Sequence, residues 1–330
     1  MIKVDLITGF LGSGKTSFIK KYIEFLTAKG LNIGIIENDF GAVNVDMLIL
    51  EDSIGGDADV EMVAGGCDYD CHRRRLKTKL IALGMLGYDR VIIEPSGIFD
   101  VDEFFDIINE DPINRWYSIG NVITVIDSKL ESNLSNSSQY LVCSQVSRAG
   151  KILLSHADLA KPQDIDNTIS ILNDCIKSFK GDRQITESDC IKATIPDLDI
   201  DTLESLLICG YNTFDHEKLI LDDSNDYNSV YLLACGLTLD EMKALITSCY
   251  EDTRCGKVFR IKGFINDTTT DSKWYQVNAT KTALSIDEIN LGQDVVIIIG
   301  EDLNEEYIRS LLPESKQGIR DIAASNSISN

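Results

Sequence analysis

The sequence predicts an α/β fold: a P-loop NTPase domain with a mostly parallel sheet flanked by helices, then a smaller C-terminal α+β domain. Three observations lead there. Short apolar runs alternate with helical patterns over about the first 210 residues, which implies parallel pairing through crossover helices. The first of those runs ends in a glycine-rich loop that opens a helix. After about residue 210 the pattern shifts to mostly strands with few helices.

Taken in order, Ile2–Thr8 reads as the first strand. A helix follows, with Phe18, Ile19, Tyr22, Ile23 and Leu26 on one face and Gly30 placed to end it. Residues 32–37 read as the second strand. The apolar runs 90–94, 121–126 and 151–154 read as further strands, separated by helical patterns near 71–86, 101–111 and 163–179. A near-continuous run such as Val91-Ile92-Ile93 suits a strand covered on both faces. Residues 221–229, LDDSNDYNS, are polar and turn-rich and read as a linker. Beyond it come strands at 230–234, 258–264, 274–277 and 295–299 and helices at 239–250 and near 304–312. The domain division is thus 1–215, a linker over 216–229, and 230–330. The last ten residues, DIAASNSISN, read as a frayed tail.

Composition narrows the function. Of 330 residues, 44% are hydrophobic and 25% charged, as in ordinary globular proteins. Acidic residues outnumber basic ones 53 to 31, for a net charge of −22. Such a surface repels nucleic acid and anionic lipid, so neither is expected as a partner. No stretch approaches the roughly 18 apolar residues of a membrane span. The N-terminus, MIKVDLITGFLGSGK, has no basic region leading into an apolar run and cleavage site, so a cytoplasmic protein is expected. The nine cysteines then read as reduced thiols. Cys143, Cys175, Cys209, Cys235 and Cys249 are expected as small core residues, and His216 as a surface residue near the linker.

The chemistry concentrates in Gly9-Phe10-Leu11-Gly12-Ser13-Gly14-Lys15-Thr16, which fits G-x-x-x-x-G-K-[ST] between a strand and a helix. Glycines let the backbone curl so that several N–H groups point at one anion. The helix N-terminus adds partial positive charge at the same place. The loop residues Gly12, Ser13, Gly14, Lys15, Thr16 and Ser17 are therefore the expected phosphate binders. Lys15 is assigned to the β- and γ-phosphates and the Thr16 hydroxyl to Mg²⁺. Glu94, in Glu94-Pro95-Ser96-Gly97, ends a hydrophobic strand and can hold Mg²⁺ through water, while Gly97 can offer its N–H to a γ-phosphate. Glu37, opening Glu37-Asn38-Asp39-Phe40-Gly41, is a candidate to orient the attacking water or touch Mg²⁺; taken alone, an acidic loop of this kind is more often solvated surface. In Ser155-His156-Ala157-Asp158, Asp158 can accept hydrogen bonds from guanine N1–H and its exocyclic amino group, which adenine does not offer.

This set, in this order, resembles the CobW-type P-loop GTPases, relatives of the GTPases that help insert nickel into urease and hydrogenase. The resemblance rests on TGFLGSGKTS, on ENDFGAVNVD at 37–46, on IIEPSGIFD at 92–100, on VITVIDS at 122–128 with the Gln145 region, on LLSHADL at 153–159, and on VFRIKGFI at 258–265. It implies a GTP- and Mg²⁺-dependent hydrolytic switch acting as a metallochaperone or cofactor-insertion factor, with Zn²⁺ or Co²⁺ as candidate metals. The implied partner is a client metalloprotein or corrinoid protein contacted by the C-terminal domain. Two departures stand out. The family's Asn-Lys-x-Asp is Ser155-His156-Ala157-Asp158 here, so His156 can stack where the lysine stem packs over the base. The family's Cys-x-Cys-Cys is here Cys67-Asp68-Tyr69-Asp70-Cys71-His72.

Cys67, Cys71 and His72 offer two thiolates and an imidazole, a donor set for a borderline-soft divalent metal. If residue 71 lies in a helix, Cys71 and His72 point about 100° apart. Arg73-Arg74-Arg75 disfavours a nearby cation and can instead grip an anionic group. One buried thiol at the start of a basic helix is the plain alternative. Arg260 and Lys262 alternate along a strand with Phe259, Ile261 and Phe264, which puts two cations on one face, expected to be solvated. Two other functions stay open: a GTPase that remodels a corrinoid or other cofactor protein without binding metal, and a nucleotide sensor with negligible hydrolysis.

Overall fold

The computed structural model describes residues 1–39, 59–64, 69–219, 227–269, 273–290, 292–313 and 316, with 38–39, 59–64 and 69–72 described as backbone. The chain divides into two compact units, Met1–Ile220 and Leu221–Asn330.

In the first unit, β1 (Ile2–Thr8), β2 (Ile33–Asp39), β3 (Asp59–Ala64), β4 (Arg90–Pro95), β5 (Tyr117–Asp127), β6 (Lys151–Ser155) and β7 (Cys190–Lys192) form one sheet in the order β3-β2-β4-β1-β5-β6-β7. All its strand pairs are parallel. The helices are α1 (Lys15–Ala28), α2 (Tyr69–Gly84), α3 (Val101–Asn109), α4 (Asn136–Arg148), α5 (Pro162–Ser178) and α6 (Ile200–Leu207).

The sheet is covered on both faces, which explains its continuous apolar runs. Ile92 packs with Phe18, Ile19 and Tyr22 of α1 and Leu203 and Leu206 of α6. Its neighbours Val91 and Ile93 turn to the other face, against Leu76 and Leu80 of α2 and Phe104 and Ile107 of α3. Gly30 ends the first helix at φ +77°, a left-handed conformation that glycine adopts without penalty. Because every strand is parallel, the loops leaving β1, β2, β4, β5, β6 and β7 open along one edge, where open α/β sheets carry their ligand sites.

Four elements of this unit lack a clear sequence pattern. Helix α4, NSSQYLVCSQVSR, buries Ser138, Ser144, Gln145 and Ser147 beside its apolar residues, so it shows no apolar stripe. β3 carries two acidic residues in six and is an edge strand. β7 has three residues and α6 eight, too short for a periodic signal.

In the second unit, β8 (Asn228–Leu233), β9 (Lys257–Asp267), β10 (Lys273–Ala279), β11 (Leu284–Ile289) and β12 (Val295–Glu301) form an antiparallel sheet in the order β11-β10-β9-β12-β8. Helices α7 (Leu239–Glu251) and α8 (Glu305–Ser310) pack on it through Met242, Leu245, Ile246 and Ile308. β11, LSIDEI, is a mostly exposed edge strand without clean alternation, and the sequence does not reveal it.

Two expectations are corrected. Lys262 is buried at 3% exposure, because its cross-strand partner Ile297 and neighbouring Phe264 are buried too. Arg260 donates from Nε to Asn278 Oδ1 over 3.1 Å. The face assigned to solvent is thus only partly solvated, with Lys262 buried and Arg260 half-buried. His216 also departs from expectation: its imidazole is fully buried, 3.6 Å from Asp102 Oδ2 and with its ring 5.8 Å from that of Tyr140. Cys143, Cys175, Cys235 and Cys249 are buried as expected, and Cys209 is half-buried. Burial pushes the thiols of Cys175, Cys209 and Cys249 up to about 12, so these groups are inert as nucleophiles. Among the described residues, no helix is long and apolar enough to cross a membrane.

Candidate nucleotide site

β1 delivers the chain into the loop Gly9–Thr16, and α1 begins at Lys15 with Gly14 as its N-cap. Three loop glycines have positive φ: Gly9 at +144°, Gly12 at +76° and Gly14 at +91°. These angles build the curl. A Cβ on Gly9 would overlap the Val125 carbonyl oxygen, so the loop lies against β5 at van der Waals distance. Lys15 is buried and folds back over the loop, its Nζ donating to the Gly9 carbonyl at 2.9 Å and the Phe10 carbonyl at 3.4 Å. The Ser13 hydroxyl is buried and without a hydrogen-bond partner among the described residues. An unmatched hydroxyl inside a ring of main-chain amides suits an oxyanion.

A hydroxyl and two carboxylates lie beside the loop. The Thr16 hydroxyl donates to Glu94 Oε1 at 2.8 Å. Glu94 is buried at the end of β4, in register with buried Glu37 on β2. Parallel neighbours in register present their side chains on the same face, so the two carboxylates are adjacent. Hydroxyl and carboxylate oxygens are hard donors, the set Mg²⁺ takes.

Gly97 follows Glu94 directly. A Cβ there would sit 2.8 Å from Leu11 Cδ2 and 2.9 Å from the Leu11 nitrogen, so this turn touches the phosphate loop's backbone. Gln145 of α4, buried, donates from Nε2 to the Gly97 carbonyl at 3.2 Å, and the Thr124 hydroxyl holds the Gln145 carbonyl at 2.8 Å.

The base loop leaves β6. Ser155 is buried, with its Cβ 4.0 Å from where a Cβ on Gly14 would lie, so this loop flanks the phosphate loop. His156 has φ +52°, and its Nδ1 is 3.0 Å from Asp127 Oδ2 at the end of β5. Asp158 is exposed and accepts from the Thr194 hydroxyl at 3.2 Å. Ile195, next along, places Cδ1 3.2 Å from a Cβ built on Gly14.

The fold therefore brings together Gly12, Ser13, Gly14, Lys15, Thr16, Glu37, Glu94, Gly97, Ser155, His156 and Asp158 at one edge. Ser17 lies in the first turn of α1. Residues 40–46 of the switch-like segment and Cys67 lie outside the described residues. Cys71 and His72 fall on the backbone of α2, where successive positions are about 100° apart around the axis. Among the described residues no cluster of three or more His, Cys, Asp or Glu is arranged to hold a metal ion.

Sequence reasoning named the Gln145 region without a role for the residue, and missed Asp127 and Thr194 as neighbours of the candidate site. The signal for Asp127 was present, as the last residue of an apolar strand. Gln145 lay in an unrecognised helix, and Thr194 followed a strand too short to see.

A family model described as CobW/HypB/UreG, nucleotide-binding domain, matches residues 3–187, more than half of the chain. The chain belongs to the CobW/HypB/UreG family. The zinc chaperone YjiA of Escherichia coli (strain K12) is 30% identical over 170 residues, 48% of this chain and 50% of that protein. The zinc chaperone YeiR of the same organism is 28% identical over 192 residues, 57% of this chain and 56% of its own length. The chain thus spans about half the length of these curated relatives. Among solved structures, the Zn(II)-bound YjiA GTPase from E. coli aligns over 95% of this chain and 99% of its own, with a TM-score of 0.37 and 18% identity. The match of the CobW/HypB/UreG domain covers the phosphate loop, both buried carboxylates and the base loop, and ends at residue 187, before β7.

Proposed function

We propose that this chain is a GTP-hydrolysing switch that handles a metal ion, zinc first, for a client metalloprotein. The observation that carries the nucleotide part is the Thr16–Glu94 hydrogen bond at 2.8 Å beside the curled loop of Lys15. The metal part rests on membership of the CobW/HypB/UreG family and on relatives named zinc chaperones. In this reading residues 1–215 hold nucleotide, 216–229 link, and 230–330 face the client.

Lys15 leaves the Gly9 and Phe10 carbonyls for the β- and γ-phosphates, exchanging two neutral acceptors for anionic ones. Main-chain amides of Gly12 to Ser17 surround the phosphates at the N-terminus of α1. Thr16 and Glu94 would hold Mg²⁺, Glu94 through water, and the ion would supply positive charge against the negative charge that develops on the phosphates. Glu37 orients the attacking water, and Gly97 N–H meets the γ-phosphate. Asp158, steadied by Thr194, accepts from guanine N1–H and its amino group. Loss of the γ-phosphate frees Gly97 and the 37–46 segment, and cargo or client affinity changes with them. Cys67, Cys71 and His72 are the proposed cargo ligands. Slow turnover without a partner is expected, since neither an arginine finger nor a catalytic glutamine is identifiable among the described residues.

Phosphate release with GTP and with ATP, in wild type and Lys15→Ala, tests the nucleotide half. GTP preference and loss of binding in Lys15→Ala support it; ATP preference or retained binding overturns it. Calorimetric titration of Zn²⁺ and Co²⁺ into wild type and Cys67→Ser tests the cargo half, which equal affinities overturn.

A further inference from the structure

His156 stands where the resemblance expects a lysine, and the structure gives it a specific partner. Its Nδ1 lies 3.0 Å from Asp127 Oδ2 and 3.5 Å from the Ser155 hydroxyl. The ring is neither free nor deeply buried, with its side chain 32% exposed. It sits on the loop that flanks Gly14, so it borders the nucleotide site.

We propose that His156, oriented by Asp127, is a proton-dependent base clamp, so that guanine nucleotide binds more tightly when the imidazole is protonated. This rests on the guanine-nucleotide reading above and adds its regulation.

The charged groups that act on the ring are Asp127 at the end of β5, Lys129 two residues on, and Asp158 of its own loop. Two carboxylates against one ammonium favour the imidazolium. The hydrogen bond to Asp127 raises the His156 pKa above its usual value; burial opposes this and is outweighed. The imidazolium therefore persists to higher pH than that of a free histidine. A cation over an aromatic face is drawn to the ring's electron cloud, and it also adds one positive charge beside an anionic ligand. Neutral imidazole loses both effects. A lysine would keep its charge across the whole range. This chain thus replaces a constant cation with a titrating one. Asp127 is a positioning residue: it holds the ring's plane and favours its charged form.

The test is the affinity of a fluorescent GDP analogue for the full chain at pH 6, 7 and 8, in wild type, Lys15→Ala, His156→Lys, His156→Ala and Asp127→Asn. Wild-type affinity is expected to fall about fivefold from the lowest to the highest pH, within the span of a single lost cation–π contact. His156→Lys should be flat across the range, and this variant keeps the test valid should His156→Ala fail to fold. Asp127→Asn should move the inflection to lower pH, which a merely structural role would not do. A wild-type profile as flat as that of His156→Lys, with tight binding, overturns the clamp alone. Wild type that binds no GDP at any pH, indistinguishable from Lys15→Ala, overturns the guanine-nucleotide reading itself.

Discussion

The Thr16 hydroxyl and Glu94 Oε1, 78 residues apart in sequence, meet at 2.8 Å. This bond fixes the start of α1 against the end of β4 and holds a hydroxyl and a carboxylate ready for one hard cation. Thr16→Ala and Glu94→Gln should each lower GTP hydrolysis by about 10²-fold, the scale for losing one aligned electrostatic group. Nucleotide affinity should also become insensitive to added Mg²⁺. Phosphate release and analogue binding with and without Mg²⁺ check this, and variants with unchanged Mg²⁺ dependence would refute the metal assignment.

Gly97 occupies a place no larger residue fits. Alanine there would put its Cβ within 3 Å of the Leu11 backbone, and backbone cannot swing aside as a flexible side chain can. Gly97→Ala should shift the phosphate loop by a fraction of an ångström. The expected cost is about 10²-fold in turnover, as for small misplacements of reacting groups. The stability cost should stay within about 1–3 kcal/mol, the range for modest overpacking. Turnover and thermal unfolding measured together separate the two; an active Gly97→Ala would show that the contact is not needed.

Much of this was legible because it is written in periodicity and glycine. Val91, Ile92 and Ile93 announced a strand covered on both faces, and the run from Gly9 to Thr16 announced its anion site. What stayed hidden was written in other terms. Gln145 and Ser144 are buried polar residues, so helix α4 has no apolar stripe to read. Lys262 is buried, although alternation alone assigns a lysine to solvent. Asp127 and Thr194 matter through partners that only the sheet order brings near.

Asp5 is a fully buried carboxylate on β1. Tyr22 OH donates to Oδ2 at 3.0 Å, and Arg90 pairs with the same group. The Asn121 N–H donates to Oδ1 at 2.9 Å, and its Nδ2 does so at 3.1 Å. Removing the carboxylate strands a mostly buried guanidinium, which costs about 3–5 kcal/mol. Asp5→Ala should thus lower the melting temperature by roughly 10 °C, at about 2–4 °C per kcal/mol for a unit of this size. Asp5→Asn, which keeps an acceptor, should lose less. A melting temperature within about 2 °C of wild type would mean the cluster contributes little.

The Asp127–His156 pair also makes a claim about stability, separate from its proposed role toward nucleotide. For Asp127, burial pushes the pKa up, but the hydrogen bond from His156 and the Lys129 N–H outweigh it and hold the carboxyl below its usual value. A depressed acid stabilises above its unfolded pKa, about 3.9, and loses that contribution as pH falls through the folded value. His156 is raised, first by its bond to Asp127, so its contribution is complete below about 6.5 and is lost as pH rises through the folded value. The two windows overlap between about pH 4 and 6.5. The melting-temperature gap between wild type and Asp127→Asn should therefore be widest between about pH 4 and 6.5 and narrow as the pH moves out of that window on either side. Both side chains are partly exposed, so the gap should shrink further in about 1 M salt. A gap that is the same at every pH would show that the contact is a neutral hydrogen bond and carries no charge.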